Sequence, residues 1–424
     1  MITEAEKTAK TPIPSELKVM ILSAFIIAIG FGIVAPILPQ YASDFGVSAL
    51  AVSAVVSAFG LFRLLFAPLS GRLTEKLGET PVYVVGLLIV AASMVATAFA
   101  PSYELLLIFR ALGGIGSTFF TVSAMTFLAR KAPPHIRGRV AGAYASAFLI
   151  GNVAGPLVGS ALVVLGPRVP FLVYGGALVV AAGVVFVMLR KSRLQDRLTR
   201  DSRSRASVAE AWARPSYRAA LASGFANGWA SFGVRNSVVP LFAAGAFVGG
   251  GWIIDSAQLA GIALAVFAAG NVSVVLTLAK RSDQWGRRPP IIIGLTIAAL
   301  ATGTLGFSPD PWTLLALSAV AGAGTGLIVP AQQAAVADIV GEGRNGGSVV
   351  SVFQMTQDLG SIVGPLLAGL IVDHLGYTWA FGLTGLIMLL AVGAWAVAPE
   401  TLPAAAQRAA SDTEDDEPNP RSAT

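Results

Sequence analysis

The sequence predicts an all-α membrane protein of twelve transmembrane helices, arranged as two pseudo-symmetric six-helix halves. Three observations carry this. First, 55% of the 424 residues are hydrophobic and only 12% are charged, about half the charge of an ordinary soluble domain. Second, apolar runs of roughly twenty residues, long enough to cross about 30 Å of hydrocarbon as helices, recur from Lys18 almost to Glu400. Third, short patterns of the first half return in the same order in the second. Lipid cannot satisfy free backbone groups, and these runs are too long and continuous for barrel strands, which leaves helices.

Polar breaks divide the chain into spans at 18–41, 48–70, 81–100, 104–129, 140–165, 168–189, 219–245, 256–279, 289–308, 312–338, 346–372 and 376–398. The first run is preceded by Lys7, Lys10 and Lys18 but also by Glu4, Glu6 and Glu16, and no small-residue cleavage site follows it. It reads as a retained helix and not as a signal peptide. The domain plan is an N-terminal segment over 1–17, a six-helix half over 18–189, a linker over 190–218, a second half over 219–398 and a tail over 399–424.

Lysine and arginine in the short loops set the expected orientation. With the N-terminus inside, the basic residues at 72–76, 130–139, 190–218 and 280–288 share one side, and the other side holds only Arg168. That other side carries Asp44, Glu104, Asp255, Asp310 and Asp373. Both termini are therefore expected in the cytoplasm, in a multi-pass protein of the cell membrane. The net charge of +6 reads as this topology signal, not as nucleic-acid binding. The arginine-rich linker serves topology and contact with anionic lipid, and the tail "SDTEDDEPNPRSAT" reads as disordered. With no cysteine and only His135 and His374, both in predicted loops, no metal site and no cofactor are expected.

The repeat is specific. "FGIVAPILP" (31–39) returns as "FGVRNSVVP" (232–240) at an offset of 201. After an insertion near "GAFVGGG" the offset is 208 for "EKLGET" against "DQWGRR", then 209 for "VAGPLVG" against "IVGPLLA". Two parallel six-helix halves place a substrate site at their interface near the bilayer centre, with rocking as the route to alternating access.

The loop between the second and third spans, "GRLTEKLGETP", holds Gly71, Leu73, Glu75, Lys76 and Gly78. These resemble the G-x-L-x-D-R-x-G-R-R signature of the major facilitator superfamily. Its second copy, "AKRSDQWGRRP", keeps Asp283, Gly286, Arg287 and Arg288. The resemblance runs from Met20 to about Pro399 and implies a loop latch that bonds helix ends in the outward-open state and releases on switching. The first copy has Glu75 where the signature has aspartate, and Glu79 and Thr80 where it has a basic pair, so its basic arm is missing. "FRALGGIGS" (109–117) resembles the arginine-bearing fourth-helix motif, which implies a role for Arg110 in proton coupling; the alternative is an arginine that snorkels near its helix end. In "GNVAGPLVG", Gly151, Gly155, Pro156 and Gly159 resemble the fifth-helix signature of drug:proton antiporters. Three glycines at four-residue spacing let another backbone approach. Pro156 frees the carbonyl of Asn152, which predicts a bend or hinge, and Gly360, Gly364 and Pro365 repeat the device in the eleventh span.

Four charged side chains lie well within the spans: Arg63, Arg110, Arg235 and Asp358. Gln354, Gln357, Asp358 and Ser361 form one helical stripe, and Asn227, Ser231 and Arg235, with Asn236 beside them, form another. Both are expected to face the substrate cavity, joined by Asn271, Gln332 and Gln333. Phe25, Phe31, Tyr144, Trp229, Phe232 and Phe353 are candidate aromatic lining. Asp358 is the one carboxylate of the four, and removal from water disfavours the charged form of such a group. It is the expected proton carrier, unless it pairs permanently with Arg235 or Arg110.

The expected activity is secondary transport, not enzyme catalysis: proton-coupled export of small amphipathic compounds by a monomer, with the substrate, protons and membrane lipid as partners. Uptake of a metabolite such as a sugar or organic acid is the alternative, and a non-transporting receptor or scaffold a more distant one. A nucleotide-driven pump is unsupported, since no G-x-x-x-x-G-K-[ST] loop is present.

Overall fold

A computed structural model describes residues 12–132, 136–189, 206–247, 256–278, 285–341, 344 and 346–402. His135, Asp283, the linker over 190–205 and the tail beyond 402 lie outside the described residues. Among the described residues all regular structure is helical: α1 Ser15–Val34, α2 Leu38–Ser43, α3 Ala49–Leu77, α4 Glu79–Ala98, α5 Tyr103–Lys131, α6 Arg137–Val163, α7 Val169–Leu189, α8 Val208–Trp212 and α9 Pro215–Asn227. There follow α10 Arg235–Ala246, α11 Ser256–Leu278, α12 Arg288–Thr304, α13 Pro311–Val340, α14 Gly347–Leu375 and α15 Tyr377–Val397. Eleven helices are long and apolar enough to cross a membrane among the described residues.

The remaining expected span, the seventh, is present but broken. Pro215–Ala246 is one continuous helical run in which Gly228–Val234 forms a π-helical segment between α9 and α10. A single wide turn of this kind is rare and marks places where side chains must be re-aimed. At its start Gly228 packs closely on α14, where a Cβ would lie 2.8 Å from the carbonyl carbon of Gln357. At its other end the Ser237 hydroxyl donates to the Gly233 carbonyl at 3.1 Å, answering an acceptor in the disturbed ladder. The first expected span also stops early: α1 ends at Val34, just before Pro36, and the short α2 resumes beyond it.

The chain divides into two compact units. Unit 1 takes Met1–Thr199, Gly233–Ala268 and Ile362–Tyr377; unit 2 takes Arg200–Phe232, Ala269–Ser361 and Thr378–Thr424. Unit 1 thus contains α1 to α7 together with α10, most of α11 and the second half of α14. Its core joins Met20 and Ile27 of α1 to Tyr83, Leu87 and Met94 of α4, Leu106 of α5 and Phe171 and Leu178 of α7. Unit 2 packs Tyr217 of α9, Ile291 and Leu295 of α12, Ile328 of α13 and Trp395 of α15.

Between helices in lipid there is little hydrophobic drive, so close packing and internal hydrogen bonds carry association, the bonds at about 0.6–2 kcal/mol each. In unit 2 the Tyr217 hydroxyl donates to the Val349 carbonyl at 2.8 Å, and Trp395 Nε1 donates to the Ser223 hydroxyl at 2.9 Å. Helix starts are capped where the sequence supplies acceptors. The Ser102 hydroxyl accepts from Leu105 N at 3.4 Å, and 208 residues later Asp310 accepts from Thr313 N at 2.9 Å. The repeat read from the sequence therefore recurs as repeated geometry.

Candidate functional site

The glycine face of α6 is seated on α1. A Cβ at Gly151 would lie 2.5 Å from the Ala28 methyl and 2.9 Å from Ile29 N. At Gly155 it would lie 2.5 Å from the Ile29 carbonyl oxygen and 2.6 Å from Gly32 Cα, and at Gly159 it would run into the Ile33 backbone. Only hydrogen fits at the three positions, so two helix backbones touch along three turns. Pro156 is buried inside α6, Asn152 is exposed, and the Ser160 hydroxyl donates to the Pro156 carbonyl at 2.8 Å. The second half repeats the contact: a Cβ at Gly360 would lie 2.8 Å from Trp229 N, with Phe225 beside it. Gly364 and Pro365 follow on the same helix, both buried.

Within unit 1 the ends of α10, α11 and α14 are sealed onto the first helices. Asp373, one turn from the end of α14, accepts from Ala49 N at 2.8 Å and Leu50 N at 2.9 Å, so its carboxylate caps α3. Such a charge at a helix N-terminus meets both unpaired N–H groups and the positive end of the helix dipole. Deeper along the same seam, the Ser57 hydroxyl donates to the Ile362 carbonyl at 2.7 Å. Gly369 lies against α3, where a Cβ would be 2.7 Å from the Ala49 carbonyl and from the Ser53 hydroxyl. Gly261 of α11 faces the Pro156 carbonyl and Ser160, and the Phe242 and Tyr377 rings lie 5.3 Å apart.

Arg110 and Arg235, both in unit 1, are buried, and neither has a carboxylate partner among the described residues. The Arg110 guanidinium lies 4.7 Å from the centre of the Phe59 ring and 4.0 Å from the Met94 sulfur; its Nε has no partner. Arg110 is thus inside the bundle, not snorkelling to its surface. Arg235 opens α10 directly after the π segment and lies over the Phe267 ring, with Nε and one terminal nitrogen unpartnered. Arg63 is half-buried on α3, its carbonyl accepting from Thr118.

In unit 2, Asp358 is half-buried and accepts from Gln354 at 3.3 Å, one turn away on α14. Gln354 is exposed, Gln357 and Ser361 are half-buried, and the Ser361 hydroxyl donates to the Asp358 carbonyl at 2.8 Å. Asn227 is fully buried; its Oδ1 accepts from Ser231 at 2.9 Å and its Nδ2 has no partner. Asn271 and, in unit 1, Asn236 are half-buried.

Several expectations are corrected. Gln332 and Gln333 do not share surroundings: Gln332 is fully buried with its amide unpartnered, and Gln333 is exposed, because neighbours on a helix point about 100° apart. Trp229, expected as aromatic lining, donates its indole N–H to Thr384 at 3.1 Å inside unit 2, since a buried indole needs an acceptor. Phe353 and Tyr144 are likewise core residues.

The two loop copies share their backbone but not their polarity. Gly78 and Gly286 hold left-handed φ values of 88° and 86° at matching positions. Beside them, Glu79 pairs with Arg130, and Arg287 pairs with Asp338 at 3.2 Å; both partners recur at an offset of 208 with the signs exchanged. The slot left by the missing basic arm is therefore filled by a reversed ion pair. Gly71 has open space around it, and Glu75 and Lys76 are exposed.

In the second copy, Glu400 accepts from the backbone N–H groups of Arg287 and Arg288 at 2.8 and 3.0 Å, and Arg288 bonds the Trp395 and Ala396 carbonyls. Burial alone would raise the pKa of Glu400, but four backbone N–H donors together outweigh it and hold the carboxyl below its ordinary 4.5. A depressed folded-state value stabilises the fold above the ordinary value, and that contribution is lost as pH falls through the folded one. Replacing Glu400 with alanine is expected to cost ~1 kcal/mol, as loss of a cap does. The deficit in thermal stability should be full at pH 7 and shrink on acidification below about 4.5.

Ser57, Phe59, Phe267 and Glu400 carry no functional expectation from the sequence, and Asp373 counts there only as a topology charge. For Asp373 a signal existed: an acid at a helix C-terminus opposes the helix dipole and so calls for a partner elsewhere. The others needed the fold to bring distant residues together.

The profile of the Major Facilitator Superfamily matches residues 20–254 and 252–422. The quinolone resistance protein NorA of Staphylococcus aureus (strain MRSA252) is 27% identical over 174 residues, 41% of this chain and 45% of that protein. The multidrug resistance protein 1 of Bacillus subtilis (strain 168) is 28% identical over 175 residues, again 41% and 45%. The alignments thus span about half the length of these relatives. The crystal structure of a bacterial homolog to the human lysosomal transporter Spinster, in an inward-facing and unoccupied conformation, is similar with a TM-score of 0.71 at 17% identity. It covers 96% of this chain and 98% of that one, and at that identity the likeness speaks for the fold alone. With the family profile matched along almost the whole length and the helical fold shared, the chain is a multi-pass membrane protein that belongs to the Major Facilitator Superfamily, a family of transporters.

Proposed function

We propose that the protein exports small amphipathic compounds across the cell membrane in exchange for protons, by alternating access, with the Asp373 end outside and both termini inside. The observation that carries export is the signature of α6: Gly151, Gly155 and Gly159 are engaged backbone to backbone with α1, where the resemblance to drug:proton antiporters places its defining motif. The names of the quinolone and multidrug resistance relatives point the same way. The seal at Asp373 and Ser57 suits a transporter closed on its outer side, and the exposed Glu75 suits a loop latch that is released in that state. Asp358, the one acid well within the spans, is assigned the proton.

Inside-out vesicles with an acidified lumen test this. Adding a panel of amphipathic dyes is expected to drive dye into the lumen and protons out, and a protonophore should stop both. Asp358→Asn should lower dye-driven proton release at least tenfold, the loss general for a proton-transferring group. Unchanged proton release removes Asp358 from the coupling, and greater dye accumulation in whole cells that carry the protein overturns export.

A further inference from the structure

We infer that Arg235 receives an acidic group of the transported compound, so that the preferred substrates are aromatic or otherwise apolar molecules bearing an anionic group. The inference rests on the export reading and narrows its substrate class. Arg235 is 9% exposed, and two of its three nitrogens, Nε and Nη1, have no hydrogen-bond partner. No carboxylate among the described residues forms an ion pair with it. One face of the guanidinium is covered by the Phe267 ring, which supplies cation–π attraction but accepts none of the in-plane N–H bonds.

An unpaired guanidinium within a membrane span costs several kcal/mol. A protein that keeps one there has a use for the charge. Depth excludes the commonest resident anion. Arg235 lies eleven residues from the Ala246 end of its helical run and twenty from the Pro215 end, or about 16 and 30 Å at 1.5 Å per residue. Lipid phosphates sit at the ends of such spans, not midway along them.

The local chain supports delivery of an anion to this point. The π segment Gly228–Val234 ends immediately before Arg235, the kind of irregularity that re-aims a functional side chain. The charge census of the spans agrees: Arg63, Arg110 and Arg235 face one acid, Asp358, so the spans as a whole favour a negative charge brought from outside. Hydrogen bonds between a guanidinium and a carboxylate are charge-assisted, and each of the two open nitrogens of Arg235, which lie on different edges of the group, can donate one. The Phe267 ring beside them suits an apolar body attached to the acid.

The test uses the full-length protein in vesicles and a panel of matched aromatic pairs, each an acid and its primary amide, with ethidium as a cationic probe. Wild type is expected to transport the acid of most pairs at least tenfold better than the amide. In Arg235→Gln the ratio should fall to about one, and in Arg235→Lys, which keeps the charge, most of the preference should return. A tenfold to hundredfold ratio corresponds to the ~1.5–3 kcal/mol of a hydrogen bond to a charged group. Repeating the wild-type assay in chloride-free gluconate separates a substrate acid from a resident chloride; a preference for acids present only without chloride makes chloride the occupant and overturns the inference. Wild type that moves amides or ethidium as well as acids overturns it even if Arg235→Gln fails to fold, and leaves the export reading standing. Failure to move any member of the panel removes the export reading itself.

Discussion

Gly155→Leu abolishes transport and lowers the melting temperature of the solubilised protein. Any side chain at 155 places its Cβ 2.5 Å from the Ile29 carbonyl oxygen and 2.6 Å from Gly32 Cα. Both are backbone atoms of α1, so no rotamer change relieves the clash. The helices must separate, which also opens the neighbouring contacts at Gly151 and Gly159. Overpacking of this kind costs about 1–3 kcal/mol and more where the obstacle is rigid, and loss is expected at or above the upper figure. Gly176→Leu on α7 is the control, since nothing lies within 4 Å of a Cβ there; it should transport within twofold of wild type. If Gly155→Leu transports normally, the α1–α6 contact is not part of the working structure.

Asp373→Ala opens the seal. It removes the carboxylate that holds Ala49 N and Leu50 N and leaves the first N–H groups of α3 without that acceptor. Loss of a charged cap costs ~1–2 kcal/mol, which shifts a two-state equilibrium roughly 5- to 30-fold. The chain has no cysteine, so a single introduced thiol reports cleanly. Ser53→Cys sits where the hydroxyl is fully buried beside Gly369. Its labelling by a membrane-impermeant maleimide added from outside should accelerate by that factor in the Asp373→Ala background. An unchanged rate means that Asp373 does not hold the seal, and labelling only from the inside reverses the proposed orientation.

The helices were legible because apolar runs bounded by polar residues have one stable form in lipid. Observed ends fall within a few residues of those expected at most spans, but α3 continues to Leu77, seven residues past the expected limit, because "GRLTEKL" stays helical after leaving the apolar run. The repeat was legible as well, and Gly78 with Gly286 shows why: a left-handed turn tolerates little but glycine, so the residue persists in both halves. The glycine face of α6 could be read as a close-packing surface, but not which helix it meets. The π segment left no periodic signal, because Asn227, Ser231 and Arg235 at four-residue spacing look like an ordinary helical stripe.

Partners of charged groups were the least legible. The exchange of signs between Glu79–Arg130 and Arg287–Asp338 reads, from one loop at a time, as a missing basic arm. It becomes a conserved geometry of opposite polarity only when the ends of α5 and α13 are brought beside their loops. The polar residues expected to line one cavity divide for a similar reason: sequence gives the side of a helix, and what that side meets depends on its neighbours. Gln332 is buried and Gln333 exposed on adjacent positions of α13.

The central claim is that the protein works by opening and closing the seal at Asp373. Spin labels at Asp44→Cys and Leu375→Cys, both exposed positions at that end, measure it by electron–electron resonance in lipid nanodiscs. Two distance populations are expected, a short one for the sealed state and a longer one that grows on addition of a transported compound, on acidification and in Asp373→Ala. One short population, indifferent to all three, would contradict the account.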